Sequence, residues 1–364
     1  MKQELTELIC CPVCGGGLQV FQAEMSPVEI WAGELCCLSC GAVYPIRQGM
    51  PHLYVEDGQW ASKAREAEGW VAYHKNLGIY DITADEPIDV HIPYYSEEPW
   101  IGVAHSFDVA LELLNLSGGE TVLDLGAGRG WAAKQFAKHG CRVVALDIVP
   151  DENIGLGRGR ALMDHAGVYF DRLIADAERL PFFDQCFDLV FCAATLHHTS
   201  HLHLLCRHIA RVLKPDGRLC AIREPCISVG DNEQVVLARD ANDEIAVGIN
   251  ENRPNLLQYV QALEAAGLTP VYVAPVEAIA LSDVDLRSWA VGLGVVRPPI
   301  PFDHPGVIPG LLWRYGRPRW AAWQQGHYFQ AERFIGRFSS RQQLEMGILL
   351  WVGGELLLVA RKGE

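Results

Sequence analysis

The spacing of apolar residues changes period along the chain, and the changes outline a layered fold. Phe107–Leu116 repeats apolar positions at helical spacing, Thr121–Leu125 is a short apolar run, Trp131–His139 is helical again, and Arg142–Asp147 returns to a strand pattern. Further strands are predicted at Asp171–Ala175, Phe187–Ala193 and Arg218–Arg223, with helices between them. Alternation of this kind predicts an α/β fold with a doubly wound, mostly parallel, seven-stranded sheet whose ligand lies at the carboxyl ends of the strands. Near the end of the chain, Met346–Ala360 is apolar almost throughout and reads as buried strand, giving terminal strands Gly347–Val352 and Glu355–Arg361. The run is short for a membrane span and carries Glu355, so no span is expected.

Composition narrows the picture. The chain has 364 residues, 49% hydrophobic and 21% charged, which suits a folded enzyme-sized protein of more than one unit. Its net charge of -15 opposes a broad phosphate-binding surface, so nucleic acid is disfavoured as a partner and small or neutral acceptors fit better. The first residues show no basic start followed by an apolar run, and a cytoplasmic location is expected.

Six of the twelve cysteines fall within the first forty residues. Cys11 and Cys14 form one C-x-x-C pair, Cys37 and Cys40 a second, each followed by glycine. Two such turns present four thiolates to one ion, the pattern of a closed, structural zinc site. Cys10 and Cys36 each precede a pair and compete as ligands; the two-residue spacing favours Cys11 and Cys37 and leaves the others as packing residues. The remaining cysteines stand singly from Cys141 to Cys226 in apolar contexts, as core residues do.

The glycine-rich turn Asp124-Leu-Gly126-Ala127-Gly128-Arg-Gly130 follows the first strand of the repeat and opens a helix. Glycines there let a ligand approach the backbone closely, though dinucleotide enzymes share the device. The next strand ends in Asp147, a carboxylate able to accept both hydroxyls of a ribose. His197 and His198 follow the fourth strand, where an acceptor would meet a cofactor, and are candidate proton acceptors. His201 is a third candidate, and Glu224, at the end of strand five, is a candidate substrate contact or orienting group. Tyr94 and Tyr95 lie in a polar stretch expected to fold over the cofactor pocket. An insertion between strands six and seven, about Leu281 to Gln343, interleaves arginine with aromatics, and Arg314 and Arg317 are its candidate grips on an anionic acceptor. A solvated basic helix packing through its tryptophans explains the same pattern.

Two resemblances follow. Cys11–Leu53, with Tyr44-Pro45-Ile46 and Gly49-Met50-Pro51 after the last pair, resembles the small zinc-ribbon proteins that activate tRNA and release-factor methyltransferases, here fused in cis. This implies structural zinc and a stabilising or protein-contacting module without chemistry of its own. Leu113 to about Arg223, through Asp176-Ala177-Glu178-Arg-Leu180-Pro181-Phe182, Leu196-His197-His198 and Lys214-Pro-Asp-Gly217, resembles the class I S-adenosylmethionine (SAM)-dependent methyltransferases of the ubiquinone/menaquinone-biosynthesis type. That family contacts the adenine amine through the position of Asp176 and the adenine ring through the N–H of Ala177. The resemblance also places Ile148 and Ala193 against the cofactor. Gly248-Ile-Asn-Glu251-Asn252 is similar to methyltransferases acting on polysaccharides and cell-surface glycans.

The chain therefore divides by expectation into a zinc ribbon (1–56), linker and cofactor-covering helices (57–105), a methyltransferase core (106–280), a substrate-covering insertion (281–343) and the core's terminal strands (344–364). The expected function is methyl transfer from SAM to a small-molecule acceptor, O-methylation of a sugar, glycan precursor or related metabolite. The alternatives are an rRNA or tRNA methyltransferase with an RNA-contacting ribbon, and a non-catalytic binding or scaffold module.

Overall fold

A computed structural model describes residues 1–81, 90–97, 99–296, 308–337 and 339–363, those of 308–314 by their backbone alone. Four antiparallel strands come first: β1 (Leu18–Met25), β2 (Ile30–Cys37), β3 (Val43–Arg47) and β4 (Met50–Pro51), hydrogen-bonded in sequence order. The second helical-and-sheet layer begins with α1 (Gly58–Asn76) and α2 (Trp100–Leu114). It continues β5 (Thr121–Leu125), α3 (Trp131–Lys138), β6 (Arg142–Asp147), α4 (Gly159–Ala166), β7 (Asp171–Ile174), β8 (Phe187–Ala193), α5 (Leu202–Val212) and β9 (Leu213–Ile227). After α6 (Glu233–Asp240), α7 (Asn242–Ala246) and α8 (Leu256–Ala265) come β10 (Leu268–Pro275), α9 (Asp283–Gly292), α10 (Ile308–Gln324), α11 (Tyr328–Ile335), α12 (Ser340–Trp351) and β11 (Gly353–Lys362).

The large sheet has seven strands in the order β10-β11-β9-β8-β5-β6-β7. β5 to β9 pair in parallel, and β11 inserts antiparallel between β10 and β9. Its central strands are apolar on both faces because helices cover both, as buried parallel strands require. The reversal of chain order between β5 and β8 opens the crevice in which such sheets bind ligands.

Two predicted elements differ. Residues 347–351 belong to α12 rather than to a strand, because a continuous apolar run fits a buried helix and a buried strand equally. The polar residues around it decide: Ser339 and Gln342 form a capping box, Arg341 pairs with Glu345 one turn on, and Gly353, at φ 88°, turns the chain into β11. Lys214–Gly217, expected as a turn before strand five, is a bulge within β9: Leu213 pairs with Phe187 and Arg218 with Leu189, so the extra residues loop out.

The small sheet covers the β7 edge of the large one. Leu53 donates its N–H to the Ile174 carbonyl, Cys10 donates to Pro181, and Phe183 donates to Leu8. Behind this seam Glu29 is 2% exposed and accepts from Arg172 at 3.2 Å, from Arg160 at 3.4 Å, from Tyr169 at 3.3 Å and from the Met1 amine at 2.8 Å. A buried carboxylate is tolerated only when so surrounded.

Candidate functional site

The four predicted metal ligands come together. Cys11, Cys14, Cys37 and Cys40 place their sulfurs within 4.8 Å of one another, with Cys11 to Cys40 at 3.7 Å and Cys14 to Cys37 at 3.5 Å. The separation suits four thiolates around one ion with bonds of about 2.3 Å, and the set is compatible with zinc. Cys10 and Cys36 lie outside it; Cys10 is buried where its backbone bonds to Pro181.

A cavity of about 310 Å³ opens at the carboxyl ends of β5 to β8. Its floor is the glycine turn, Gly126, Ala127 and Gly128, and a Cβ at Gly126 would stand 2.3 Å from the Thr195 side chain at a backbone φ of 70°. Only glycine fits that position. Asp147 closes the turn, accepting from Gly128 N–H at 2.7 Å and from Val149 N–H at 2.9 Å. Ile148, Asp176 and Ala177 continue the wall. Burial pushes the carboxyls of Asp147 and Asp176 above their ordinary range, so each gains most from a ligand that donates hydrogen bonds. Ribose hydroxyls and an adenine amine are such donors, and these residues fit the adenosyl part of SAM.

Three predicted cofactor contacts stand off the cavity. Asp124 is 2% exposed and accepts from Ala133 N–H at 2.9 Å, holding β5 to α3; burial pushes its carboxyl to about 7. Gly130 caps α3 beside Phe170, whose ring a Cβ would meet at 2.9 Å. Ala193 ends β8, and the neighbouring Ala194, at φ 51°, lines the wall in its place.

The two histidines have different surroundings. His198 lines the cavity, with Nδ1 2.8 Å from the Asn250 carbonyl and 3.2 Å from Glu251. A carbonyl only accepts, so Nδ1 carries the proton and Nε2 holds the lone pair. Burial holds His198 well below the ordinary imidazole range, hence neutral. His197 is 6% exposed and off the cavity, with Nδ1 2.8 Å from Glu224. Glu224 is fully buried and also accepts from the N–H groups of Thr195, Leu196 and His197, so it shapes this loop and does not line the cavity. His201 is exposed, 3.1 Å from Glu178, at a second cavity.

Tyr94 is 50% exposed and donates to Asp108, and neither it nor Tyr95 lines the cavity; Ile92 represents that segment there. Arg317 is exposed on α10, away from the cavity, and the side chain of Arg314 lies outside the described residues. Among the described residues of the insertion none lines the cavity, and 297–307 with the side chains of 308–314 lie outside the described residues. α10 packs against Gly230 through Pro318 and Ala321.

The described cover is α1, within the stretch 57–105 expected to fold over the cofactor. Lys63, Glu66, Trp70 and His74 follow one another at helical spacing and face the cavity, while Trp100 and Trp131 close another side. Sequence reasoning missed these residues because the face mixes charge with aromatics and shows no apolar stripe. Their one signal was the spacing itself. Asp57 caps α1 through the N–H groups of Gln59 and Trp60, Tyr54 stacks on Trp60 at 3.7 Å, and Gln59 donates to Asp176 at 2.6 Å. The small sheet thus ends in the residues that seat the cover.

Two stretches of the chain match known families. Residues 123–221 match the family described as methyltransferase domain, and residues 2–49 that described as Trm112p-like protein. The ubiquinone/menaquinone biosynthesis C-methyltransferase UbiE of Cupriavidus metallidurans is 36% identical over 110 residues, 30% of this chain and 44% of that protein. The uncharacterized methyltransferase C70.08c of Schizosaccharomyces pombe is 29% identical over 48% of this chain and 69% of its own. The chain spans less than half the length of the UbiE relatives it matches. Among solved structures, the Haloferax volcanii Trm112 methyltransferase activator complex with a methyltransferase shares 20% identity at a TM-score of 0.44, over 82% of this chain and 98% of that one. Residues 123–221 of the chain are a methyltransferase domain, and a Trm112p-like domain precedes them over residues 2–49.

Proposed function

We propose that the protein transfers the SAM methyl group to a hydroxyl of a small polar acceptor. The observation that carries this reading is a second cavity, about 490 Å³, that adjoins the first across Lys63, Glu66 and Glu178. Gln59, Ser62, Ser200, His201 and Asn250 line it with donors and acceptors, as suits a sugar or other polyhydroxylated molecule. The Lys63 ammonium stands 3.0 Å from Glu66 and 3.4 Å from Glu178, so the shared wall is a charged cluster with more acid than base. Such a wall repels a nucleic-acid phosphate, which supports the small molecule over an RNA acceptor.

SAM, when bound, supplies an electrophilic methyl group. Asp147 and Asp176 hold its adenosyl part, and the glycine turn lets it lie against the backbone. α1 excludes water, and the fixed loop of Thr195–His198 positions the acceptor; positioning alone supplies much of the rate. His198 takes the acceptor's proton at Nε2, and Glu251 beside Nδ1 stabilises the imidazolium.

Labelled SAM incubated with the protein and cell-extract fractions divided into RNA, protein, lipid and small-molecule pools tests the reading. Label should enter the small-molecule pool. Label in RNA, or calorimetry showing no SAM binding or binding untouched by Asp147→Ala, overturns it.

A further inference from the structure

The described part of the insertion, which does not line the cavity, carries an unexplained surface. Trp320 and Trp323 on α10 are 60% and 53% exposed with rings stacked at 5.1 Å, and Phe329 on α11 is 74% exposed. Large aromatics displayed together in water mark a contact surface rather than a fold requirement. Charge separates this region from the rest: residues 308–337 hold five arginines and one acid, Glu332, in a chain of net charge -15. Arg319 is used internally, lying over the Tyr315 and Trp351 rings and donating to the Gly294 and Val295 carbonyls, which fixes α10 to the body. Arg317 and Arg333 are exposed, one turn before Trp320 and one turn after Phe329. Along α10 and α11 exposed cation and aromatic positions therefore alternate, a strip in the order of the chain.

We propose that this strip docks on an anionic lipid bilayer. Tryptophan settles at the headgroup level, its ring half in hydrocarbon and its N–H in the polar layer, while arginine pairs with lipid phosphate. The acidic remainder of the chain is repelled by the same surface, so only this side faces it. No helix among the described residues is long and apolar enough to cross a membrane, and the attachment is peripheral. The strip also lies close to the working end of the sheet: Gln325 donates to the Gly230 carbonyl at 3.0 Å, three residues beyond the end of β9. Docking turns the carboxyl edge of the sheet toward the lipid. The inference does not depend on the acceptor assigned above.

Sedimentation of the full chain with phosphatidylcholine vesicles, and with vesicles mixed equally with phosphatidylglycerol, tests it. The protein should partition onto the mixed vesicles and leave them as salt rises, with a blue shift of tryptophan fluorescence. Trp320→Ser with Trp323→Ser should abolish the shift and most of the binding, and Arg317→Gln with Arg333→Gln should weaken binding about thirtyfold. SAM affinity, unchanged in both variants, reports an intact fold. Absence of partitioning overturns the proposal, as do variants that partition like the parent, or a preference for tRNA over the mixed vesicles that the tryptophan variant leaves intact.

Discussion

Gly126 and Glu224 show how single residues fix the cavity. A methyl group at Gly126 has to displace Thr195 at a backbone angle that favours glycine, so Gly126→Ala should weaken SAM binding about tenfold or more, measured by calorimetry. Glu224 satisfies three backbone N–H groups and the His197 ring at once. Glu224→Ala strands all of them in the interior and should cost roughly 3 kcal/mol in urea unfolding, with Glu224→Gln recovering part. The residue types at this scale were legible: glycine turn, strand-end aspartate and paired histidines all stood out in the chain. Which histidine meets the cavity was not, because adjacent positions point in different directions and only the Asn250 and Glu251 contacts, some fifty residues away, decide it.

At the scale of elements, β5, β6 and β8 have the predicted bounds because short, largely apolar runs between turns leave little choice. α12 was missed as a helix because its run is too uniformly apolar to show a period, whereas covering helices over 57–105 were expected and only the face of α1 was too mixed to show which residues line the cavity. The seam between the small sheet and β7 makes its own prediction. His52, buried there beside Arg47, is held down to about 4 from an ordinary value of 6.5, chiefly by burial. The unfolded chain takes up this proton first as pH falls, so the folded form keeps its full stability above 6.5 and loses it as pH drops towards 4. His52→Asn should flatten that part of the profile by up to about 3 kcal/mol. Unfolding curves of parent and variant between these pH values check it, the difference isolating His52 from buried aspartates that act in the opposite sense.

Across the whole molecule, the metal domain and the cavity are mechanically joined: the ribbon pairs with β7, its end stacks Tyr54 on Trp60, and α1 runs from there over the cavity. One zinc per chain is expected by metal analysis, lost in Cys14→Ser and Cys40→Ser. The same variants should lower the thermal transition and weaken SAM binding, because a ribbon too short for its own core folds on its metal. Wild-type SAM affinity in a metal-free variant would separate the two units. The sequence by itself determined the local chemistry: four thiolates in paired turns, a glycine loop after a strand, and a carboxylate at the next strand end, all set by spacing within a few residues. Tertiary structure alone decided which residues of α1 line the cavity, which histidine faces it, and that Glu224 turns into the loop beside it. Those depend on contacts between residues far apart in the chain, and local spacing carries no record of them.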